Sequence, residues 1–560
     1  VPVKSANPLK RGTKISKLVL PDPSVRLPMQ VSSGAHLSGI ALPHNDTRCP
    51  LSLAVGGLNR VCTQLPPPDK FIFQEFCAFE KRFRRKHFVP LSSDTVLDHR
   101  KWLDSRPYPQ AKKDSMWAEW EKFYGELTEK LLAFNAFAKD ESYVKWALNR
   151  LICAPHDVAK IFFGPMIEAV EKQLYSSKWF IKKVPVVERP SFILAMKEKL
   201  GLLAHMSDSD FTSYECSFSK ELKEGCELSF MSYMTEKVDS DGSWMTNFVK
   251  WVGTKTTLIN KFFRITMDDV SRYSGESTTS AFNGYTNVVV HEFIAFKTNQ
   301  KVEFCVEGDD CLAFWEKSPP EESWYEKLGF AVKLGLHTEL ETTSFCGQVF
   351  AVEDMRVLTD PRYVLAGIGW LPSRYTHAKQ SVKLSLLRAK AWSCGYQYQG
   401  CPILASLARY LLRVTRSHDA RKAFEHLDLY KADMLREAMS NFDPTLPDEL
   451  QVPVGLASRL LVERLYGIPV AVQRQYEEIF DKATVLSELP NLLDNWPQPW
   501  SETWDLYVRT SVNDPWLVAH PPEIWHPLHP TEVALPIVPR EKRWKSYIAA
   551  RIKVVDFEPE

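Results

Sequence analysis

The sequence predicts a mixed α+β fold, and three observations carry the prediction. The first is Glu307-Gly308-Asp309-Asp310, which follows Val302, Phe304 and Val306 and precedes Leu312 and Phe314. Period-two alternation on both sides of a Gly-Asp turn reads as two strands joined in a hairpin, with two carboxylates exposed at its tip. The second is helical patterning on either side, over about 277–297 and across 377–416 with a break at 395–402. The third is size and composition: 560 residues, 44% hydrophobic and 25% charged, suit a globular chain of several subdomains rather than one small core.

Taken in order, residues 1–110 mix Pro/Gly turns with short apolar runs and define no domain. The start, Val1-Pro2-Val3-Lys4, has neither an initiating Met nor an apolar signal core. It is expected to be a boundary of processing or truncation, with room upstream for a membrane anchor. From 111 to 203 the pattern reads as mostly helical, with one helix entered through Pro165 (166–174) and another over 196–203. An extended segment around Asp210 gives way to helix at about 217–234. After the hairpin, Pro319-Pro320 breaks the chain, a short helix follows at 321–328, and strand-like runs lie at 329–334 and 344–352. Seven prolines between Pro515 and Pro539, interleaved with Trp516 and Trp525, exclude regular helix there. That stretch reads as an ordered strap, with disorder as the alternative. No repeat is evident, and no run approaches the roughly 18 apolar residues that span a bilayer. The 11 cysteines show no Cys-x-x-Cys spacing and read as reduced thiols, not a disulfide frame or zinc site.

Charge is nearly balanced, with 70 basic and 69 acidic residues, but unevenly distributed. Residues 361–418 hold Arg362, Arg374, Lys379, Lys383, Arg388, Lys390, Arg409, Arg413 and Arg416, and no acid. A one-signed stretch favours a polyanion; the alternative is a solvated helix pair. The shorter cluster from Lys81 to His87 is equally well explained as surface charge.

Gly-Asp-Asp alone is ordinary turn chemistry. A second acidic site lies far upstream, in Asp208-Ser209-Asp210-Phe211-Thr212-Ser213-Tyr214-Glu215. Alone, Asp210 would read as a helix cap or Asx turn. If packing gathers these carboxylates at one sheet edge, Mg²⁺ would relieve their repulsion, since it prefers hard oxygen ligands together with water and phosphate. Between the two sites runs Ser274-Gly275-Glu276-Ser277-Thr278-Thr279-Ser280-Ala281-Phe282-Asn283, continuing to Asn287. Asn283 and Asn287 share a helical face, Gly275 reads as a flexible loop, and Ser274, Thr279 and Asn283 offer uncharged hydrogen bonds to a sugar or base. A Ser/Thr-rich helix start is the plainer reading.

In this order the segments resemble the palm motifs of RNA-dependent RNA polymerases of positive-strand RNA viruses, with spacing nearest the nodavirus- and tombusvirus-like groups. Asp-x4-Asp is similar to Asp210 through Glu215, Ser-Gly-x3-Thr-x3-Asn matches Ser274, Gly275, Thr279 and Asn283, and Gly-Asp-Asp matches Gly308 to Asp310. The one departure is Glu215, where Asp is common. Lys139, Lys145 and Arg150 resemble the family's basic finger motif for the incoming triphosphate, where Lys supplies a point charge and Arg a planar fork. Residues 324–333 resemble the fourth palm motif, making Lys333 the expected general acid with His337 as alternative. Phe345-Cys346-Gly347 resembles the element gripping the primer end.

The resemblance implies a right-hand polymerase with closed fingers, an antiparallel palm sheet and a helical thumb. Residues 1–110 become an N-terminal extension or fingers, 111–203 fingers with the basic motif, 204–355 palm, 356–510 thumb and 511–560 the strap. Whether fingers interleave with the palm near 235–270 stays open. It implies template-directed RNA synthesis by two-metal nucleotidyl transfer from NTPs, with Asp210, Asp309 and Asp310 holding Mg²⁺ (Mn²⁺ able to substitute). Glu215 and Asn283 are expected to choose ribose over deoxyribose. Arg374, Lys379, Lys383, Arg388, Arg409 and Arg413 are expected along the RNA backbone. The implied setting is the host cytoplasm in a membrane-associated replication complex, or the virion. A non-catalytic RNA-binding subunit and a Mg²⁺-dependent nuclease are the competing readings.

Overall fold

Strands Val302–Glu307 and Asp310–Trp315 pair in antiparallel register from Val302↔Trp315 to Glu307↔Asp310. Gly308 closes the turn at φ +63°, where a residue without Cβ meets no steric cost. The computed structural model describes residues 8–17, 19, 30–201, 204–427, 429–443, 451–511 and 557–558. Asp310–Trp315 lies inside a four-stranded sheet, where it also pairs with His205–Phe211, which pairs in turn with Val332–His337. That last strand starts later than expected because Leu328 and Phe330 donate back to the Tyr325 carbonyl and make a turn.

Both faces of the hairpin are buried. Val302, Phe304, Val306, Cys311, Ala313 and Trp315 enter a core shared with helices Lys70–His87 and Thr279–Thr298. Cys305, Leu312, Phe314 and Met206 enter a second core with Ile193, Met196, Phe350 and Val357. The Leu312/Phe314 alternation therefore belongs to the opposite face from Val302/Phe304/Val306. Phe304 and Phe314 are fully buried, each contributing about 1.5–3 kcal/mol. The sheet is thus clamped on both sides, which fixes where its acidic end lies.

Residues 111–203 are less helical than expected. Phe134–Ala138 and Leu151–Pro155 form an antiparallel hairpin, and the alternating burial of Leu151, Cys153 and Pro155 is the period-two signal the helical reading overrode. A second hairpin, Thr256–Ile259 with Arg264–Met267, joins that same sheet rather than the four-stranded one. The helix expected to begin after Pro165 runs from Asp157 to Leu174, with Pro165 inside it. Proline forfeits the bond to the Ile161 carbonyl, a cost offset by burial of Ile161, Phe163, Met166, Ile167 and Val170. The helix expected over 196–203 is instead Arg189–Glu198, opened by Pro190 and followed by Gly201 at φ +85°.

Helices Gln380–Gln397, Leu404–Val414, Leu456–Tyr466 and Val470–Lys482 share a third core. The N-terminal segment joins it: Gln30–Ser32 pairs with Trp370–Pro372, and Ala35, Leu37, Ile40 and Leu42 pack into the core. The same segment then enters the first core through helix Pro50–Val61. In the Lys81 to His87 cluster, Arg84 turns inward onto Glu80 while the other cations stay exposed. All 11 cysteines are free thiols. Among the described residues no helix is long and apolar enough to cross a membrane. The Pro-rich strap lies outside the described residues, apart from Ser511 and Phe557–Glu558. The architecture is mixed α+β, consistent with a polymerase-like fold.

Candidate active site

The open end of the four-stranded sheet gathers the acids. Asp210 pairs with Lys333 on one side. On the other side the ladder closes at Ser209↔Cys311, one residue before Asp210 and one after Asp310. Strand alternation then puts Asp210, Lys333 and Asp310 on one face. Asp309 and Asp310 are exposed at the turn, yet the atoms packed around them strip part of their hydration. That desolvation, then the charges of Asp309, Asp210 and Glu307, push Asp310 up to about 6, although the Cys346 thiol donates to its carboxylate. Desolvation and Glu215 likewise raise Asp309, while Arg60 and Arg150 pull it back.

The turn is pinned from beneath. The buried Asn287 Nδ2 reaches the carbonyl oxygens of Gly308 (3.2 Å), Asp309 (3.1 Å) and Asp310 (3.4 Å). Helical spacing puts Asn283 one turn earlier. Its Oδ1 accepts from Arg272 Nε at 3.1 Å, and the Arg272 amide donates to the Glu215 carbonyl at 3.0 Å. Arg272 is wholly buried and also bonds Glu227, Glu276 and Thr278. Lys223, 3.8 Å from Glu276, is lowered to about 7 by burial. Glu215 is gripped by Arg60, whose Nε and Nη2 lie 2.9 and 2.5 Å from Oε1. Thr279 Oγ1 donates to the Tyr273 carbonyl at 2.6 Å, and Ser274 is half-buried beside it. Gly275 is a close-approach residue rather than a flexible link, since a Cβ there would stand 2.9 Å from the Cys153 carbonyl. This contact brings the Ser274 loop against the Leu151–Pro155 strand.

Lys139 and Arg150 face each other where that hairpin opens, with the Lys139 amide bonded to the Arg150 carbonyl. Both side chains pair with Glu141, at 2.9 and 3.3 Å. Lys145 is exposed on the intervening loop. Lys333 is exposed and makes no ion pair among the described residues. His337 lies further along the strand, opposite Met206, with Nε2 2.9 Å from Asp208 Oδ2. Lys333 is therefore the nearer of the two to the acids. The turn at Cys346 and Gly347 has φ of +53° and +71° and faces the thiol to Asp310.

Most cations of the basic stretch have internal work. Arg388 donates to the Leu412 carbonyl at 2.6 Å, and Lys390 to those of Gly367, Ile368 and Trp370. Arg413 donates to the Phe480 and Ala483 carbonyls. Each completes carbonyls left open where a helix ends, and Lys390 also bonds the strand carbonyl of Trp370. Arg409 pairs with Asp481 at 3.1 Å, and Arg374 with Asp140 at 3.1 Å, while Lys383 reaches the Thr376 carbonyl. Lys379 is exposed and makes no ion pair among the described residues.

Among the described residues no group of three or more His, Cys, Asp or Glu side chains is set to hold a metal ion. The donor chemistry nonetheless suits a hard cation: carboxylates close enough to raise Asp310 are those Mg²⁺ binds in ones and twos, with phosphates and water completing the shell. Sequence reasoning missed Arg60, Arg272 and the pinning role of Asn287. Only Asn287, four residues from Asn283, carried a local signal.

A family model described as viral RNA dependent RNA polymerase matches residues 249–487. A viral RNA-dependent RNA polymerase domain is therefore present over part of the chain, and it supports a nucleotidyltransferase activity of the RNA-polymerase type in general. The match spans Asn283, the Gly308-Asp309-Asp310 turn and Lys333; Asp210, Glu215 and the Lys139–Arg150 pair precede it. No curated protein matches the chain.

Proposed function

We propose that this chain is a template-directed RNA-dependent RNA polymerase that adds nucleotides from NTPs to an RNA 3′ hydroxyl. The observation that carries the reading is the convergence of Asp210 with the Asp309-Asp310 turn at one sheet end, inside and beside the matched polymerase domain. Asp210, Asp309 and Asp310 would hold Mg²⁺, which supplies charge neutralisation and acidifies the attacking hydroxyl when bound. Arg150, Lys139 and the exposed Lys145 supply cationic donors for the triphosphate. Lys333, cross-strand from Asp210, is positioned to give a proton to the leaving pyrophosphate. Asn287 holds the turn so that its carboxylates present a fixed edge, and such preorganisation is where most catalytic gain arises.

A closed right hand is the architecture this implies. It is supported by the N-terminal segment that packs in the 349–500 core and then in the core beside the acidic edge. RNA template and product are the proposed partners, with Arg374 and Lys379 the more exposed of the expected cations along their track. The proposed setting is replication of a viral genome in a membrane-associated complex of the host cytoplasm. The test is extension of a primed RNA template with NTPs and Mg²⁺. Asp309→Ala should abolish incorporation while RNA binding persists; substantial incorporation by this variant would refute the assignment.

A further inference from the structure

Glu215 ends in an arginine, and so does Asn283. Arg60 stands in the last turn of helix Pro50–Val61, far from Glu215 in sequence, yet both its Nε and Nη2 converge on a single carboxylate oxygen, Oε1. The backbone reinforces the contact, because Cys216 Sγ lies 2.8 Å from the Arg60 carbonyl. Glu215 is 8% exposed and Arg60 25%, so the pair is largely screened from water. On the other side, Arg272 occupies Asn283 Oδ1. Among the described residues, Glu215 Oε2 and Asn283 Nδ2 have no hydrogen-bond partner, which leaves one acceptor and one donor group for a ligand. A ribose 2′ hydroxyl donates one hydrogen bond and accepts others, so it can satisfy both. A deoxyribose can satisfy neither, and partly buried polar groups left unpaired are the strongest basis for rejecting an analogue.

We infer that Arg60 is a positioning residue for ribose selection, fixing the Glu215 carboxylate so that only Oε2 is presented to the sugar. The inference rests on the polymerase reading above and on Glu215 as a sugar reader. It also accounts for Glu where the related polymerases commonly carry Asp. An Asp at 215 would draw the carboxylate back by roughly 1.5 Å, one carbon–carbon bond, and lose the 2.9 and 2.5 Å contacts with Arg60.

The test compares kcat/KM for each NTP with that for its dNTP on one primed template, in wild type, Arg60→Ala, Arg60→Lys, Glu215→Ala and the Arg60→Ala/Glu215→Ala double variant. The ratio within one preparation does not depend on the fraction folded. Arg60→Ala should lower the NTP/dNTP ratio roughly tenfold, the worth of one well-placed hydrogen bond. Arg60→Lys should fall between, since it keeps the charge but not the fork. The double variant should discriminate no worse than Glu215→Ala alone, because Arg60 acts through Glu215. A wild-type ratio in Arg60→Ala, or equal loss of NTP and dNTP use, would overturn the inference and mark Arg60 as a scaffold or triphosphate ligand. Fully additive loss in the double variant would overturn it too. A wild type that incorporates NTPs while Glu215→Ala keeps its ratio removes the sugar reader, and this inference with it. A wild type that incorporates no nucleotide at all sinks the polymerase reading itself.

Discussion

On the polymerase reading, replacing Asn287 by Leu should cut nucleotide incorporation roughly 10- to 100-fold while leaving stability almost unchanged. Asn287 is fully buried, and its Nδ2 lies 3.1–3.4 Å from the three carbonyls of the Gly308-Asp309-Asp310 turn. An amide has two N–H donors, so at most two of these bonds are strong together. Losing them costs about 1–3 kcal/mol. The same side chain carries a buried Oδ1 with no partner, and removing that orphan returns about 1–3 kcal/mol. Leu is near-isosteric and leaves no cavity, so the balance is close to zero. Asn287→Ala adds a cavity and should be less stable than Asn287→Leu by about 1–2 kcal/mol. Activity responds differently, because the bonds hold the carboxylates in place. A displacement of about 1 Å at reacting groups costs on the order of 100-fold, so both variants should lose roughly 10- to 100-fold in kcat with RNA affinity kept. Thermal unfolding and single-nucleotide incorporation measure the two quantities side by side. Near-wild-type incorporation by Asn287→Leu would refute the pinning role, and so would a loss of activity that simply tracks a fall in Tm.

Asp310→Asn should stabilise the protein in EDTA at pH 7. Its folded pKa of about 6 exceeds the ordinary 3.8, so the folded state binds the proton more tightly and stability is lost as pH rises from about 4 to 6, the penalty being complete above that. The gap is worth at most about 3 kcal/mol, which solvent access at this edge reduces to about 1 kcal/mol; equal Tm for variant and wild type at pH 7 speaks against the crowded-acid account. In the helical core that joins Leu404–Val414 to Val470–Lys482, Arg413→Gln should cost about 1–2 kcal/mol of stability by opening the Phe480 and Ala483 carbonyls. Lys379→Gln should leave Tm alone and lower the salt slope of RNA binding by about 1. Unchanged Tm with a reduced salt slope in Arg413→Gln would instead put that arginine on the RNA track.

The elements that proved legible in the sequence were those whose signal is local. The hairpin announced itself through two-residue alternation around a turn, and the long helix through its Ser/Thr-rich start and the four-residue spacing of Asn283 and Asn287. The 134–155 hairpin was missed because its strands are five residues each and its connecting loop carries Lys, Arg and Glu at near-helical intervals. Pro165 misled for another reason: a buried helix tolerates a proline whose lost bond is outweighed by packing, and only tertiary structure reveals that balance. The basic stretch shows the limit of reading charge by composition. An acid-free run predicts a polyanion track, yet the same cations serve equally well on helix carbonyls, whose positions no linear window contains.

The least legible part of the site is also the most connected. Arg272, Glu227, Glu276 and Lys223 are all nearly inaccessible to solvent, and burying two cations with two acids is rarely a gain in stability over an apolar cluster. What the cluster does is geometric. Arg272 alone touches the Glu215 backbone, the Asn283 amide, Thr278 and two acids, so the proposed sugar readers cannot shift independently of it. Glu227 and Lys223 come from one wide helical turn, Lys223–Glu227, and Glu276 from the loop that carries Ser274. Two stretches, 215–227 and 272–283, are thereby locked at one distance from the acidic edge. A flexible apolar core would permit sliding by a fraction of an ångström; a fully bonded guanidinium does not. The site is therefore built from two layers, an exposed row of carboxylates that residue spacing announces and a buried brace around Arg272 that only the folded chain assembles.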